Sequence, residues 1–280
     1  MNILYCGNDQ VEDGLILSIL SLAKSANDTL HIYVLTMQIR TGKLSYSPIS
    51  ETTVIYLNEL VQKYDPDNFV RLIDVSDLFR RHLPAANMNT RFTPYCMLRL
   101  FADKVPCLPE KLLYLDTDVI CREDLRSLYH QDVSAYEIGG VPDYYGRWFY
   151  RRLWHFDYLN SGVLLMNLRI IRETGLLEKC RQLCAERKML LPDQSALNKS
   201  ITAKKIQPRR FNEQHKLRED TVLQHFTTTF RFFPWLHTLT VKPWQIDKVR
   251  NKLKIYEYDD LFAEYLRIRP QLRAENLKEI

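Results

Sequence analysis

Hydrophobic and polar positions along the chain follow two periods, and their alternation sets the expected order of elements. Two short apolar runs without polar interruption, 112–115 and 162–167, read as strands buried on both faces, as in a parallel sheet. The segments 2–5, 30–35, 69–74 and 138–143 read as four more strands, with 204–208 and 221–226 as shorter candidates and 53–57 as a weaker one. Between them apolar residues return at helical spacing, as Leu15, Ile19 and Leu22 do within 11–25. Further helices are expected over 59–64, 77–83, 123–129, 170–187 and from 191. Pro84 stops the second of these, and Thr93 with Pro94 opens a helix that runs to about 104. Past Trp244 the chain is helical and mixed in charge, over 247–254 and 259–269. Strands alternating with helices predict an α/β fold with a mostly parallel central sheet, flanking helices and a small C-terminal helical appendage. With no linker or internal repeat, residues 1–245 read as one domain and 246–280 as an extension.

Composition changes this picture little. The 280 residues are 46% hydrophobic with 8 Gly and 12 Pro, which suits a globular chain with few structureless segments. The net charge of +5 is mild and its Lys and Arg are interleaved with Asp and Glu, so no nucleic-acid-binding arm is expected. Lys248, Arg250, Lys252 and Lys254 could touch an anionic membrane peripherally, but Asp247, Glu257, Asp259 and Asp260 favour a solvated helix. None of the six cysteines forms Cys-x-x-Cys, and they read as buried free thiols. The N-terminus reads as a strand, not as a leader, and no apolar run reaches the length of about 18 residues needed to span a membrane. A cytoplasmic, reducing compartment is expected.

Candidate chemistry gathers where the 112–115 run ends in Asp116-Thr117-Asp118. Ligands of open α/β sheets sit beyond the carboxyl ends of the strands. Two carboxylates there offer hard oxygen ligands to a magnesium or manganese ion, half of a phosphate clamp. Asp-x-Asp also arises by chance in loops and caps; the strand in front distinguishes this one. A second strand ends in Asp143, and the segment after it, 144–158, is rich in aromatic and basic residues. Such a segment either lines an acceptor groove or packs as core and rim.

Five blocks, in order, resemble the family 8 retaining glycosyltransferases, a group that includes bacterial lipopolysaccharide galactosyl- and glucosyltransferases and glycogenin. They are Arg99-Leu100-Phe101-Ala102, Leu113-Tyr114-Leu115-Asp116-Thr117-Asp118, the run from Tyr158 through Asn160-Ser161-Gly162 to Leu168, Leu191-Pro192-Asp193-Gln194-Ser195-Ala196-Leu197-Asn198, and Val241-Lys242-Pro243-Trp244. The resemblance implies a Rossmann-like nucleotide-sugar-binding fold of the glycosyltransferase A type. It also implies Mn2+ (or Mg2+), a UDP-sugar donor carrying glucose or galactose, a carbohydrate-bearing acceptor, and transfer with retention. By the same resemblance Asp116, Asp118 and a later histidine hold the cation. His225 fits that place best, with His237 as the alternative, because residues 227–240 lengthen the loop that the family keeps short. Lys242 would meet the diphosphate. Cys6, Asn8, Arg99, Asp116, Asn160, Ser161, Asp193 and Gln194 would line the donor, and Asp143 would lie on the acceptor side.

Gln194 resembles the residue nearest the anomeric carbon. An amide is a poor nucleophile, so front-face attack is expected, with Asp193 the carboxylate for a covalent route. Two rivals share the fold. A non-catalytic nucleotide-sugar-binding scaffold predicts erosion of Asn160, Asp193, Gln194 or the aspartate pair, and all are intact. A sugar nucleotidyltransferase predicts a glycine-rich N-terminal phosphate loop, which Cys6-Gly7-Asn8-Asp9 is not.

Overall fold

In a computed structural model, the structure describes residues 1–41, 44–88, 90, 93–145, 157–231 and 237–276. Among the described residues, thirteen strands run β1 (Asn2–Cys6), β2 (His31–Thr36), β3 (Ile39–Thr41), β4 (Leu44–Tyr46), β5 (Phe69–Asp74), β6 (Lys111–Leu115) and β7 (Val119–Cys121), then β8 (Ile138–Pro142), β9 (Leu159–Asn167), β10 (Lys204–Ile206), β11 (Leu223–His225), β12 (Thr229–Arg231) and β13 (His237–Leu239). Seven form the central sheet, in the order β10-β8-β9-β6-β1-β2-β5. Every neighbour pair is parallel except those made by β9, which runs antiparallel to both β6 and β8.

The uninterrupted apolar runs are explained by burial on two sides. Along β6, Leu113 and Leu115 enter one core while Leu112 and Tyr114 enter the other, and β1 divides Ile3 and Tyr5 from Leu4 and Cys6 in the same way. The first core is covered by the helices Glu12–Ser25 and Glu51–Gln62 and by Asp259–Asn276, which contributes Phe262 and Tyr265. The 3-10 helix Pro94–Lys104 covers the second, with Leu168–Thr174, Leu176–Glu186 and Pro192–Ser200. Each fully buried Leu, Ile or Phe contributes about 1.5–3 kcal/mol, so this double core holds the site rigidly.

Several local expectations are corrected. The 53–57 candidate strand lies inside the helix Glu51–Gln62, capped by Ser50, whose Oγ accepts from the Thr53 amide at 3.1 Å. The single helix expected over 170–187 is two, split where Gly175 adopts the left-handed conformation (φ 68°) that ends a helix. The helix opened by Thr93 and Pro94 is 3-10, and the Thr93 side chain makes no cap hydrogen bond. All six cysteines are free, but Cys107 is exposed and Cys96 only half-buried. Residues 146–156 of the aromatic and basic segment lie outside the described residues.

Candidate active site

The β6 backbone continues past Leu115, where the Asp116 amide donates to the Gly162 carbonyl of β9 at 2.8 Å. Three residues on, β7 begins and pairs antiparallel with β11, placing His225 opposite Val119. The Phe226 amide donates to the Asp118 carbonyl at 3.0 Å, which locks the two segments together. This pairing carries His225 to the carboxylates across more than a hundred residues of sequence. His225 Nε2 lies 3.2 Å from Asp118 Oδ1 and 3.6 Å from Asp116 Oδ2. Gly162 admits the ring: a Cβ there would sit 2.1 Å from His225 Cε1 and 2.9 Å from Asp116 Oδ2. The His237 backbone lies in β13, and its side chain is outside the described residues.

Lys242 completes the cluster, its ammonium ion-paired with Asp118 Oδ2. Two residues on, Trp244 packs against Gly14 of the helix Glu12–Ser25, where a Cβ would come within 2.5 Å of the indole. Burial opposes the charge on Asp118, yet its charged surroundings, the Lys242 ammonium foremost, outweigh it and hold its carboxyl well below the usual range. The same partnership raises the Lys242 ammonium above its ordinary value against the effect of burial.

Asp116 is held from behind. Its Oδ1 accepts from Arg99 Nη2 at 2.7 Å and from the Tyr114 hydroxyl at 2.6 Å, leaving Oδ2 directed at His225. The Arg99 guanidinium stacks on the Tyr114 ring at 4.2 Å, also donates to the Ser161 carbonyl, and has Nε 3.3 Å from Asp193 Oδ2. Arg99 is buried, and each of its three guanidinium nitrogens donates to a protein oxygen. Burial disfavours its charge, but Asp116, Tyr114 and Asp193 more than restore it, keeping the guanidinium charged.

Asp143, Asn160, Ser161, Asp193 and Gln194 form one connected network. Ser161 Oγ donates to Asp193 Oδ2 at 2.9 Å, and the Ser161 amide donates to Gln194 Oε1 at 3.0 Å. Asp143 Oδ2 accepts from Gln194 Nε2 and from Asn160 Nδ2, each at 3.0 Å. Cys6 ends β1 with its thiol buried, and burial pushes that thiol well up from its ordinary value, so it stays neutral. Asn8 is buried in the next turn and donates to Asp9 Oδ1 at 3.0 Å. Beside His225 opens a cavity of about 380 Å3, lined by Tyr145, His215, Thr227, Leu239 and Lys254, a size that takes a small ligand.

Three contributors are not among the site residues expected from the sequence. Tyr114 looks like a core strand residue, Gly162 like a strand filler, and Asn212, whose Oδ1 faces His225 Nδ1 at 3.1 Å, like an ordinary turn residue. Only the pairing of β11 with β7 and of β9 with β6 reveals what each one touches.

Asp116, Asp118 and His225 offer ligand atoms that all lie within 4.8 Å of one another. Two carboxylates and an imidazole suit a divalent ion of the manganese or magnesium type. This centre stands at the carboxyl edge of β6, the place where α/β proteins bind nucleotides. The described residues contain no helix long and apolar enough to cross a membrane.

Comparison with known proteins places the fold and the chain. Over 94% of its length the chain matches galactosyltransferase LgtC, solved in complex with donor and acceptor sugar analogs, with a TM-score of 0.64, 18% identity and 96% of that chain covered. The fold is therefore Rossmann-like, of the glycosyltransferase A type. The description of glycosyl transferase family 8 matches residues 2–247. Glycosyltransferase GlyF of Streptococcus pneumoniae serotype 4 is 35% identical over 124 residues, which span 44% of this chain but 29% of that protein. A lipopolysaccharide 1,2-glucosyltransferase of Escherichia coli is 26% identical over 250 residues, covering 75% of this chain and 72% of its own length. The chain belongs to glycosyl transferase family 8.

Proposed function

We propose that this protein transfers a hexose, glucose or galactose, from a UDP-sugar to a hydroxyl of a glycan, glycolipid or glycoprotein, with retention of configuration. The observation that carries the reading is the meeting of Asp116, Asp118, His225 and Lys242 at the edge of β6. When bound, Mn2+ or Mg2+ on the two aspartates and His225 supplies Lewis-acid stabilisation of the charge that develops on the departing diphosphate. Lys242 brings a second positive charge to the same place, a point charge suited to phosphate.

Cys6 and Asn8 close the nucleotide end of the site. Asn160, Ser161, Asp193 and Gln194 hold the donor sugar, with Arg99 holding Asp116 and Asp193 in place. Gln194 has its oxygen engaged by Ser161 and its amide nitrogen by Asp143, so it orients and does not attack. Front-face attack by the acceptor hydroxyl follows, with the leaving phosphate oxygen taking its proton. Asp143 aligns both sugar-side amides from the acceptor side. The cavity between Tyr145, His215 and Lys254 suits a carbohydrate, with rings to stack on and polar groups to bind hydroxyls. The six free thiols fit a cytoplasmic setting.

The test is UDP release from UDP-glucose and UDP-galactose, measured with and without Mn2+. Asp116→Asn combined with Asp118→Asn is expected to lower release by more than about 100-fold, the scale set by losing electrostatic stabilisation of a leaving group. Unchanged release from that variant after chelator treatment sinks the reading.

A further inference from the structure

A histidine binds a cation through one ring nitrogen, and the group on its other nitrogen decides which one is bare. In this protein that group is Asn212. It follows the 3-10 turn Arg209–Phe211 and is 0% exposed. Its backbone is fixed by the adjoining Glu213, whose amide donates to the Leu223 carbonyl at 2.9 Å and whose carbonyl accepts from the His225 amide at 2.9 Å. Asn212 Oδ1 faces His225 Nδ1 at 3.1 Å, and Asn212 Nδ2 donates to Asn160 Oδ1 at 3.0 Å.

The direction of every bond in this chain follows from one group that can only accept. The Asp143 carboxylate accepts from Asn160 Nδ2, so the Asn160 oxygen must face the other way, where it also accepts from the Gly162 amide at 3.0 Å. Against that oxygen Asn212 can present only its amide nitrogen. Its own oxygen then meets His225 and accepts from Nδ1–H. Nε2 is left bare, directed at Asp118 and Asp116.

We propose that Asn212 is a positioning residue that selects the Nδ1-protonated form of His225, so that Nε2 is free for the cation. Through Asn160 it also couples the cation centre to the groups that hold the donor sugar. The proposal rests on the reading of Asp116, Asp118 and His225 as the cation site.

The test separates the two arms of the Asn212 amide. Mn2+ affinity is measured by titration on the full chain without donor, beside UDP release with UDP-hexose and the melting temperature in chelator. Asn212→Ala removes both arms and is expected to weaken Mn2+ binding by roughly 10- to 100-fold. Asn212→Asp restores an acceptor for Nδ1–H but turns a carboxylate oxygen toward Asn160 Oδ1. It is expected to regain Mn2+ affinity to within about threefold of the parent while kcat for UDP release stays about tenfold down.

A merely structural Asn212 gives a different pattern, in which both variants lose melting temperature and Mn2+ affinity in parallel. That outcome overturns the proposal, as does parental Mn2+ affinity in Asn212→Ala. A parent that binds Mn2+ but releases no UDP from any UDP-sugar overturns only the transferase reading, and the Mn2+ titrations still decide the role of Asn212. A parent that binds no Mn2+ overturns both.

Discussion

At the scale of single residues, the cation centre depends on what is absent as much as on what is present. Gly162 stands directly under the His225 ring, and a methyl group there would need the ring or the Asp116 carboxylate to move. Neither moves cheaply. His225 is tied to Asn212, and Asp116 is tied to Arg99 and Tyr114. Gly162→Ala is therefore expected to fold and to lose Mn2+ affinity by about tenfold or more, the scale of a displaced ligand or its support, as read by titration. Unchanged affinity would show that the ring is not where the cation binds. Asp118 and Lys242 add a second constraint, because the Asp118 carboxylate is buried and the half-buried Lys242 ammonium is the cation paired with it. The two aspartates and Lys242 were legible in the sequence because short motifs carried them. Asn212 was not, since an asparagine in a turn has an ordinary local explanation and its partners lie 13 and 52 residues away.

At the scale of elements, apolar runs identified the inner strands of the central sheet, because burial on both faces removes the need for polar alternation. The misreadings have equally physical sources. The β-branched stretch around Thr53, Val54 and Ile55 suggests a strand, yet Thr53, Val54, Leu57, Leu60 and Val61 are buried at helical spacing and the Ser50 cap starts the helix. At the far edge of the sheet one buried carboxylate joins three elements. Glu137, next to β8, accepts from Thr174 Oγ1 at 2.6 Å, the Thr202 amide at 2.7 Å and the Ala203 amide at 3.0 Å. Burial opposes its charge, but these donors prevail and lower its carboxyl below the ordinary value. Its contribution to stability is therefore complete above the unfolded-state value of about 4.3 and is lost as pH falls through the lower folded value. Glu137→Gln is expected to cost about 1–3 kcal/mol at neutral pH in urea melts, and the gap to the parent should close as the acid limb is descended. A gap that persists unchanged at pH 3 would mean that geometry, and not charge, sets the cost.

For the whole molecule, the C-terminal helix Asp259–Asn276 links packing to function. It resembles a surface helix in its sequence because its charges are mixed, but Phe262, Tyr265, Ile268 and Leu272 enter the same core as Ile3 and Leu113. Arg269 fixes its angle by donating to both carboxylate oxygens of Asp13 at 3.0 and 2.9 Å. Asp13 is next to Gly14, on which Trp244 rests, and Trp244 is two residues from Lys242. The far end of the chain thus braces the helix that braces the phosphate-side lysine. Phe262→Ala is expected to cost about 3–5 kcal/mol, the scale of a large ring removed from a closed core, and to lower the melting temperature accordingly. Arg269→Ala, which breaks a half-exposed ion pair, should cost less than about 1 kcal/mol. Removal of residues 259–280 should unfold the protein at temperatures where the full chain is stable. If the truncated chain melts with the parent, the helix is a detachable appendage and this core is not continuous.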